Sequence, residues 1–305
     1  MMKIAFLFSG QGIQYAGMGQ DLYDNYECAR EIYDKASEIL GWDIKEVCFT
    51  DKQGVINQTR YTQPALFTTT MAAYYVAKSN NLIPSVVAGF SLGEYSALVA
   101  SGILSFEDAL KIVDARAKFM DISAAKTNGA MSAIIGVDLG IMQDISSNVV
   151  IANDNCPQQF VISGDADEVK LVSDELKQKG AKRVVPLNVS GAFHSPLMNE
   201  AKQQLEQEIK KYNFNEPTIK IVSNVSGDYM NKEQSIKFAP EQVVSGVKFR
   251  ESIDRLVEDG IDTFIEIGVK KTLCGFVKKI SKKVNVYNIE DKKSLENVIN
   301  NLGGV

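Results

Sequence analysis

A single histidine, His194, occurs in the whole 305-residue sequence, so any chemistry that needs an imidazole has one place to find it. Cysteines are also few. Cys28, Cys48, Cys156 and Cys274 are far apart and lack the paired spacing of a metal site. A reduced, cytoplasmic setting is the expectation. No run of about 18 uncharged apolar residues occurs, which excludes a conventional transmembrane helix. Positive charge is not in excess: 33 Lys and Arg stand against 38 Asp and Glu, for a net charge of −5. That balance gives no reason to expect nucleic acid as a partner. Internal repeats, low-complexity tracts and a G-x-G-x-x-G dinucleotide fingerprint are all absent.

What remains is a chain of ordinary globular composition, long enough for one large domain or two of usual size. The start, MMKIAFLFSGQG, has too short an apolar stretch for a secretion signal and runs into glycines instead of a cleavage site. It reads as a first strand over 3–9. Helical spacing follows over 22–40, with Gly41 as a stop, and over 63–78, with Pro64 in the first turn. A strand over 86–90 leads to a helix over 93–101. Ser105 then precedes a helical segment over 106–117, with Asp108 in the place of a capping-box glutamate. This alternation argues for a parallel sheet covered by helices.

The middle of the chain changes character. Strands are expected over 131–137, 149–152, 159–163 and 182–189, a short helix over 139–146, and an amphipathic helix over 165–179 closed by Gly180. The order β-α-β-β-α-β is that of a ferredoxin-like unit. The expected organisation is therefore a small ferredoxin-like subdomain at 125–190 inserted into an α/β core made of 1–124 and 191–305. Beyond the insert, helices are expected over 200–212 and 249–259, and strands over 218–224 and 263–267. Lys270, Lys271, Lys278, Lys279, Lys282 and Lys283 make the C-terminal part basic. Read on their own, they form a solvated helix face.

Gly89-Phe90-Ser91-Leu92-Gly93 fits G-x-S-x-G, at the junction of an expected strand and helix. A sharp strand-to-helix turn needs small flanking residues, and it exposes the serine hydroxyl. It also sets the Leu92 N–H at a helix N-terminus, facing any developing oxyanion. A serine nucleophile needs a base. If the base is an imidazole, His194 must supply it. The third member is less defined. Asp154 and Asp174 lie between Ser91 and His194, but both fall in the expected insert, so a dyad oriented by a carbonyl is preferred. Near the start, Ser9-Gly10-Gln11-Gly12 is either a plain glycine-rich turn or a loop whose Gln11 N–H is a second oxyanion donor. Arg116, on spacing alone, is one cation on an amphipathic helix.

Six segments together resemble the malonyl-CoA:acyl carrier protein transacylase family, the acyltransferases of fatty-acid and polyketide synthesis. They are SGQG near the start, YTQPALF at 61–67, GFSLGEYSAL at 89–98, ARAKFM at 115–120, NDNCPQQFVISG at 153–164 and GAFHSPLM at 191–198. The likeness continues to EIGVKKTLCGFVKKI at 266–280. It implies an α/β-hydrolase-like core with a ferredoxin-like insert. It implies Ser91 as nucleophile, His194 as base, and the N–H groups of Gln11 and Leu92 as the oxyanion hole. Arg116 would hold the malonyl carboxylate, Gln242 would orient the histidine through its main-chain carbonyl, and Gln63 and Asn155 would line the site. The implied partners are malonyl-CoA and acyl carrier protein, with no nucleic acid, membrane, metal or redox cofactor.

The sequence departs from the family pattern in three places. Phe90 stands where the family commonly has histidine. Gly246-Val247-Lys248-Phe249 replaces Pro-Val-x-Trp, and Gly268-Val269-Lys270 replaces a glycine-proline-glycine turn. The triplet AFH before Ser195 resembles the malonyl-selective form found in polyketide acyltransferases. Other readings of the same elbow are a polyketide acyltransferase acting in trans, a thioesterase or esterase, and a non-catalytic CoA-thioester binding protein.

Overall fold

The computed structural model describes residues 3–145 and 147–302. Ser146, the end of the expected short helix, and residues 1, 2 and 303–305 at the ends of the expected core lie outside them. The strands among the described residues are β1 (Ile4–Phe8), β2 (Val86–Gly89), β3 (Gly129–Ile135), β4 (Val150–Cys156), β5 (Gln159–Asp165), β6 (Arg183–Pro186), β7 (Lys220–Val222), β8 (Thr263–Ile267) and β9 (Asn285–Ile289).

Five of them form a sheet in the order β7-β2-β1-β8-β9, and each neighbouring pair is parallel. A parallel sheet is covered on both faces, so its strands read as continuous apolar runs. In β1 every residue is buried. Ile4, Phe6 and Phe8 join one core cluster, while Ala5 and Leu7 join another on the opposite face. β8 is likewise buried throughout, although it carries Glu266.

β3 to β6 form a separate antiparallel sheet in the order β4-β5-β3-β6. This is the strand order of a ferredoxin-like unit, as the sequence pattern led us to expect. Ile134, Phe160 and Ile162 pack against Val169, Val172 and Leu176 of the helix Ala166–Gln178. The first crossover holds only a 3-10 turn, Leu139–Asp144, in place of an α-helix. β4 is joined to the segment that precedes the helix Phe249–Glu258: Val247 N–H donates to the Ala152 carbonyl at 2.8 Å, and Asp154 N–H to the Val247 carbonyl at 3.0 Å. No helix among the described residues is long and apolar enough to cross a membrane.

Several elements differ from their expected bounds. The single helix expected over 22–40 is two, Gln20–Asn25 and Glu27–Leu40, because Tyr26 is extended (φ −131°, ψ 126°). The helix Thr59–Ser79 starts four residues early, which moves Pro64 out of the first turn and into the helix interior. There its ring deprives the Arg60 carbonyl of an intrahelical donor. The helix capped by Ser105 runs to Ala125, since Met120 and Ala124 continue its buried face. β4 and β5 are longer than expected and meet at a tight turn, so Asn153 and Asn155 lie in a strand and not in a loop. A helix at Lys232–Glu241, the strand β9 and the helix Lys292–Leu302 were not expected.

Candidate active site

Ser91 lies between β2 and the helix Gly93–Ala100, with φ at 51°. A non-glycine residue pays roughly 1–3 kcal/mol for a left-handed backbone of this kind. The flanking glycines have a steric cause. A Cβ on Gly89 would strike the backbone of Gly93 and Glu94, and one on Gly93 would strike the carbonyls of Phe8 and Ser9. The elbow is thus packed directly on the end of β1.

His194, also at positive φ (59°), places its ring against the elbow. Ser91 Oγ and His194 Nε2 are 2.8 Å apart. On the other side of the ring, Nδ1 is 2.8 Å from the Gln242 carbonyl and 3.0 Å from the Ser245 carbonyl. Carbonyls only accept, so Nδ1 carries the proton and Nε2 offers a lone pair to the serine hydroxyl. Neither Asp154, in β4, nor Asp174, which pairs with Lys177, is a partner of this ring. Burial, and secondarily the Arg116 charge, pushes the imidazole down to about 4, against the two carbonyls. It is neutral at physiological pH.

Arg116 is 1% exposed, so it is more than one cation on an amphipathic helix: its side chain lies in the interior. Its Nη1 donates to Gln63 Oε1 at 2.6 Å, and its Nη2 to Gln242 Oε1 at 3.0 Å. Nη2 is also 3.5 Å from Ser91 Oγ. The guanidinium lies 5.5 Å from the centre of the Tyr95 ring. Among the described residues no carboxylate forms an ion pair with it, and Nε has no hydrogen-bond partner. A buried cation whose hydrogen-bond partners are uncharged amides is a receptor for an anion.

Gln242 does more than the sequence suggested. Its main-chain carbonyl orients His194, its Oε1 accepts from Arg116, and its Nε2 donates to the Ser91 carbonyl at 3.0 Å. The loop after it is fixed by the contact between Val247 and β4, where a Cβ on Gly246 would strike the Ile151 carbonyl. Glycine at 246 therefore permits this loop to dock closely on β4.

A cavity of about 470 Å³ opens over these groups, at the carboxyl ends of the parallel strands. Gln11, Ser91, Arg116, Asn155 and His194 line it. Gln63 and Gln242 do not; both are fully buried behind Arg116. Leu92 is buried as well, and only its backbone, at the start of the helix Gly93–Ala100, bears on the elbow. Asn155 presents a buried, unpartnered Oδ1. Gln11 is tethered through Nε2 to Thr59 at 3.3 Å. Phe90 packs with Phe249 and Phe276 at 5.4 and 6.3 Å between ring centres, filling the place of the family's second histidine with hydrocarbon. No cluster of three metal-ligating side chains occurs among the described residues.

Two residues went unnoticed in the sequence. Glu94, in the first turn after the elbow, is buried and accepts from Asn224 N–H at 2.6 Å. Burial raises its carboxyl to about 7, against the Asn224 hydrogen bond and the Arg116 charge. Asn224 itself contacts the elbow on both sides. The spacing GxSxGE was the only available sign of the first, and nothing local marks the second.

A parallel α/β core that holds a serine–histidine pair on a strand-to-helix elbow, beside a buried cation, defines a class of serine-dependent acyl-group-handling proteins. The chain belongs to the acyl transferase domain family, whose model matches residues 5–304. It is 41% identical over 310 residues to the malonyl CoA-acyl carrier protein transacylase of Bacillus subtilis, covering 99% of this chain and 98% of that protein. The solved transacylase of the same name from Clostridium perfringens superposes with a TM-score of 0.95 at 40% identity, over 98% of this chain and 97% of that one. A malonyl-transacylase solved in complex with a type II polyketide acyl-carrier protein gives 0.93 at 31% identity, over 98% of this chain and 99% of that one.

Proposed function

We propose that the protein transfers the malonyl group of malonyl-CoA to the phosphopantetheine thiol of acyl carrier protein, for fatty-acid synthesis, through a malonyl-serine intermediate. His194 Nε2 takes the proton of Ser91 as Oγ attacks the thioester carbonyl. The N–H groups of Gln11 and Leu92 receive the oxyanion, each such donor typically contributing about 10²–10³-fold in rate. The CoA thiol leaves with the proton from His194. Arg116 retains the malonyl carboxylate while the carrier's thiol attacks the acyl-serine, and the same steps run in reverse. The thioester is already activated, so the chemistry calls for no resident metal or redox group. We assign residues 1–124 and 191–305 to the core and 125–190 to the small subdomain, and place the enzyme in the cytoplasm.

One observation carries this reading: the unpaired Arg116 guanidinium stands 3.5 Å from a serine hydroxyl that is bonded to the only imidazole. A plain esterase has no use for a buried cation at that distance. The test is intact-protein mass spectrometry after brief mixing with malonyl-CoA, beside Ser91→Ala. One malonyl adduct is expected, absent in the variant and discharged by holo acyl carrier protein. Free malonate and CoA accumulating with little adduct would make water the acceptor and the protein a hydrolase.

A further inference from the structure

Asn224 stands two residues beyond β7, and it is 2% exposed. Its Nδ2 donates to the Gly89 carbonyl at 2.6 Å, and its Oδ1 accepts from Ser91 N–H at 2.7 Å. Only one orientation of the amide satisfies both, because one neighbour is an acceptor and the other a donor.

The register explains the pairing. β2 and β7 align Val86 with Lys220, Val87 with Ile221 and Ala88 with Val222. Two more steps set Asn224 opposite Phe90. In a parallel ladder a residue donates to the carbonyl before its opposite number and accepts from the N–H after it. Here those groups belong to Gly89 and Ser91. The Asn224 carboxamide thus takes the part of a main-chain amide where β7 has ended and the chain of β2 turns. Its own backbone is anchored: N–H donates to Glu94 Oε2 at 2.6 Å, and the carbonyl accepts from Lys248 N–H at 3.0 Å.

We infer that Asn224 is a positioning residue, whose side chain holds Ser91 in the left-handed conformation that aims Oγ at His194. The inference rests on Ser91 being the acylated residue.

The test compares wild type, Asn224→Ala and Asn224→Asp, using the full chain, malonyl-CoA and intact-protein mass to follow a single round of acylation. A nucleophile misplaced by about 1 Å loses about 100-fold in rate. Asn224→Ala should show that loss at saturating malonyl-CoA. Its KM should stay within about threefold of wild type, because Arg116 and its partners are untouched. Asn224→Asp adds a readout that a merely structural role would not move. A protonated carboxyl has both the donor and the acceptor of the amide, whereas a carboxylate has no donor for Gly89. Burial of this position disfavours a carboxylate and so raises the introduced group's titration above the usual carboxylate range.

The ratio of the Asn224→Asp rate to the wild-type rate should therefore rise as pH falls. Glu94, Arg116, His194 and the Lys248–Glu251 pair surround the elbow. Arg116, His194 and the Lys248–Glu251 pair are common to both proteins, so their titrations divide out; Glu94 lies beside the introduced carboxyl and would titrate with it, so the ratio is measured in a Glu94→Gln background. A flat ratio, or an Asn224→Ala rate equal to wild type, overturns the inference. So does failure of both variants to fold, which would assign Asn224 to the fold instead of to Ser91. Should Asn224→Ala alone fail to fold, the Asn224→Asp ratio decides. A wild type that takes up no malonyl group removes the functional reading and this inference with it; an acylated wild type with equal variants removes this inference alone.

Discussion

Arg116 Nη1 donates to Gln63 Oε1 at 2.6 Å, and both side chains are withdrawn from solvent. Amides orient the guanidinium without neutralising it, so its charge stays available to a ligand. Each hydrogen bond to a charged group contributes about 1.5–3 kcal/mol, so losing a two-bond carboxylate clamp should slow malonyl transfer by about 100-fold or more. Arg116→Ala is expected to show this with malonyl-CoA and to spare acetyl transfer. Equal losses with the two substrates would remove Arg116 from carboxylate recognition.

Gln63 is not on the cavity wall, so any effect it has on substrate must pass through Arg116. Gln63→Leu leaves one buried N–H without an acceptor and frees the guanidinium to turn. The cost of an unmade buried hydrogen bond, about 1–3 kcal/mol, corresponds to a rise in KM for malonyl-CoA of about tenfold. Steady-state kinetics with malonyl-CoA and acetyl-CoA would show it; an unchanged malonyl KM would mean Gln242 alone orients Arg116.

The serine elbow and the base are legible in the sequence for physical reasons. Glycines at 89 and 93 are enforced by backbone contact with β1 and with the helix start, and a sole histidine leaves no competitor. β8 matches its expected bounds residue for residue, since its β-branched and aromatic residues follow the turn at Gly260 and stop at Gly268. The burial of Arg116 is not legible. Helical spacing says where a side chain leaves the helix, and the covering comes from Gln63 and Gln242, 53 and 126 residues away. Asn224 is hidden for the same reason: its partners lie 133 and 135 residues off. The helix Lys232–Glu241 did leave a signal, an Asn231–Gln234 capping box, but its interior Pro240 masks the helical pattern.

The pH dependence of acylation should reflect the buried imidazole. His194 must be neutral at Nε2 to take the Ser91 proton, and burial pushes its pKa down to about 4. The kcat/KM for malonyl-CoA should therefore hold through the slightly acidic range and halve near pH 4, well below the ordinary histidine value of about 6.5. Glu94→Gln, measured alongside, separates the titration of that carboxyl near pH 7. A midpoint near 6.5 that survives in Glu94→Gln would mean the ring is solvated and charged more readily than its burial implies.

Glu266 couples the cavity wall to stability. Its Oε1 accepts from Ser9 Oγ at 2.9 Å and its Oε2 from Cys274 N–H at 2.8 Å. Burial raises its carboxyl from 4.5 to about 7, against those hydrogen bonds. A pKa raised on folding gives stability that is full below about 4.5 and is lost as pH rises through about 7. Glu266→Gln removes that dependence. Its melting temperature relative to wild type should rise between pH 5 and pH 8, with a ceiling on the order of 3 kcal/mol. His194 contributes the opposite slope, but equally in both proteins. A melting difference that does not vary with pH would show that Glu266 is ionised throughout.

The six lysines from Lys270 to Lys283 are all exposed. Lys279 donates to Gln159 of β5 at 2.8 Å, so the basic segment abuts the small sheet. An acidic carrier protein approaching the cavity would meet this charge first. Exposed charges act mainly on association rate, and salt screens them over about 8–10 Å. Lys278→Glu with Lys282→Glu should raise the carrier's KM about tenfold at low salt and flatten its dependence on ionic strength. Acylation of Ser91 by malonyl-CoA should be unaffected, because neither lysine lines the cavity. The two half-reactions therefore separate docking from chemistry. A carrier KM and salt dependence that match wild type would place the dock elsewhere on the protein. A loss confined to acylation would mean that these lysines serve the CoA phosphates.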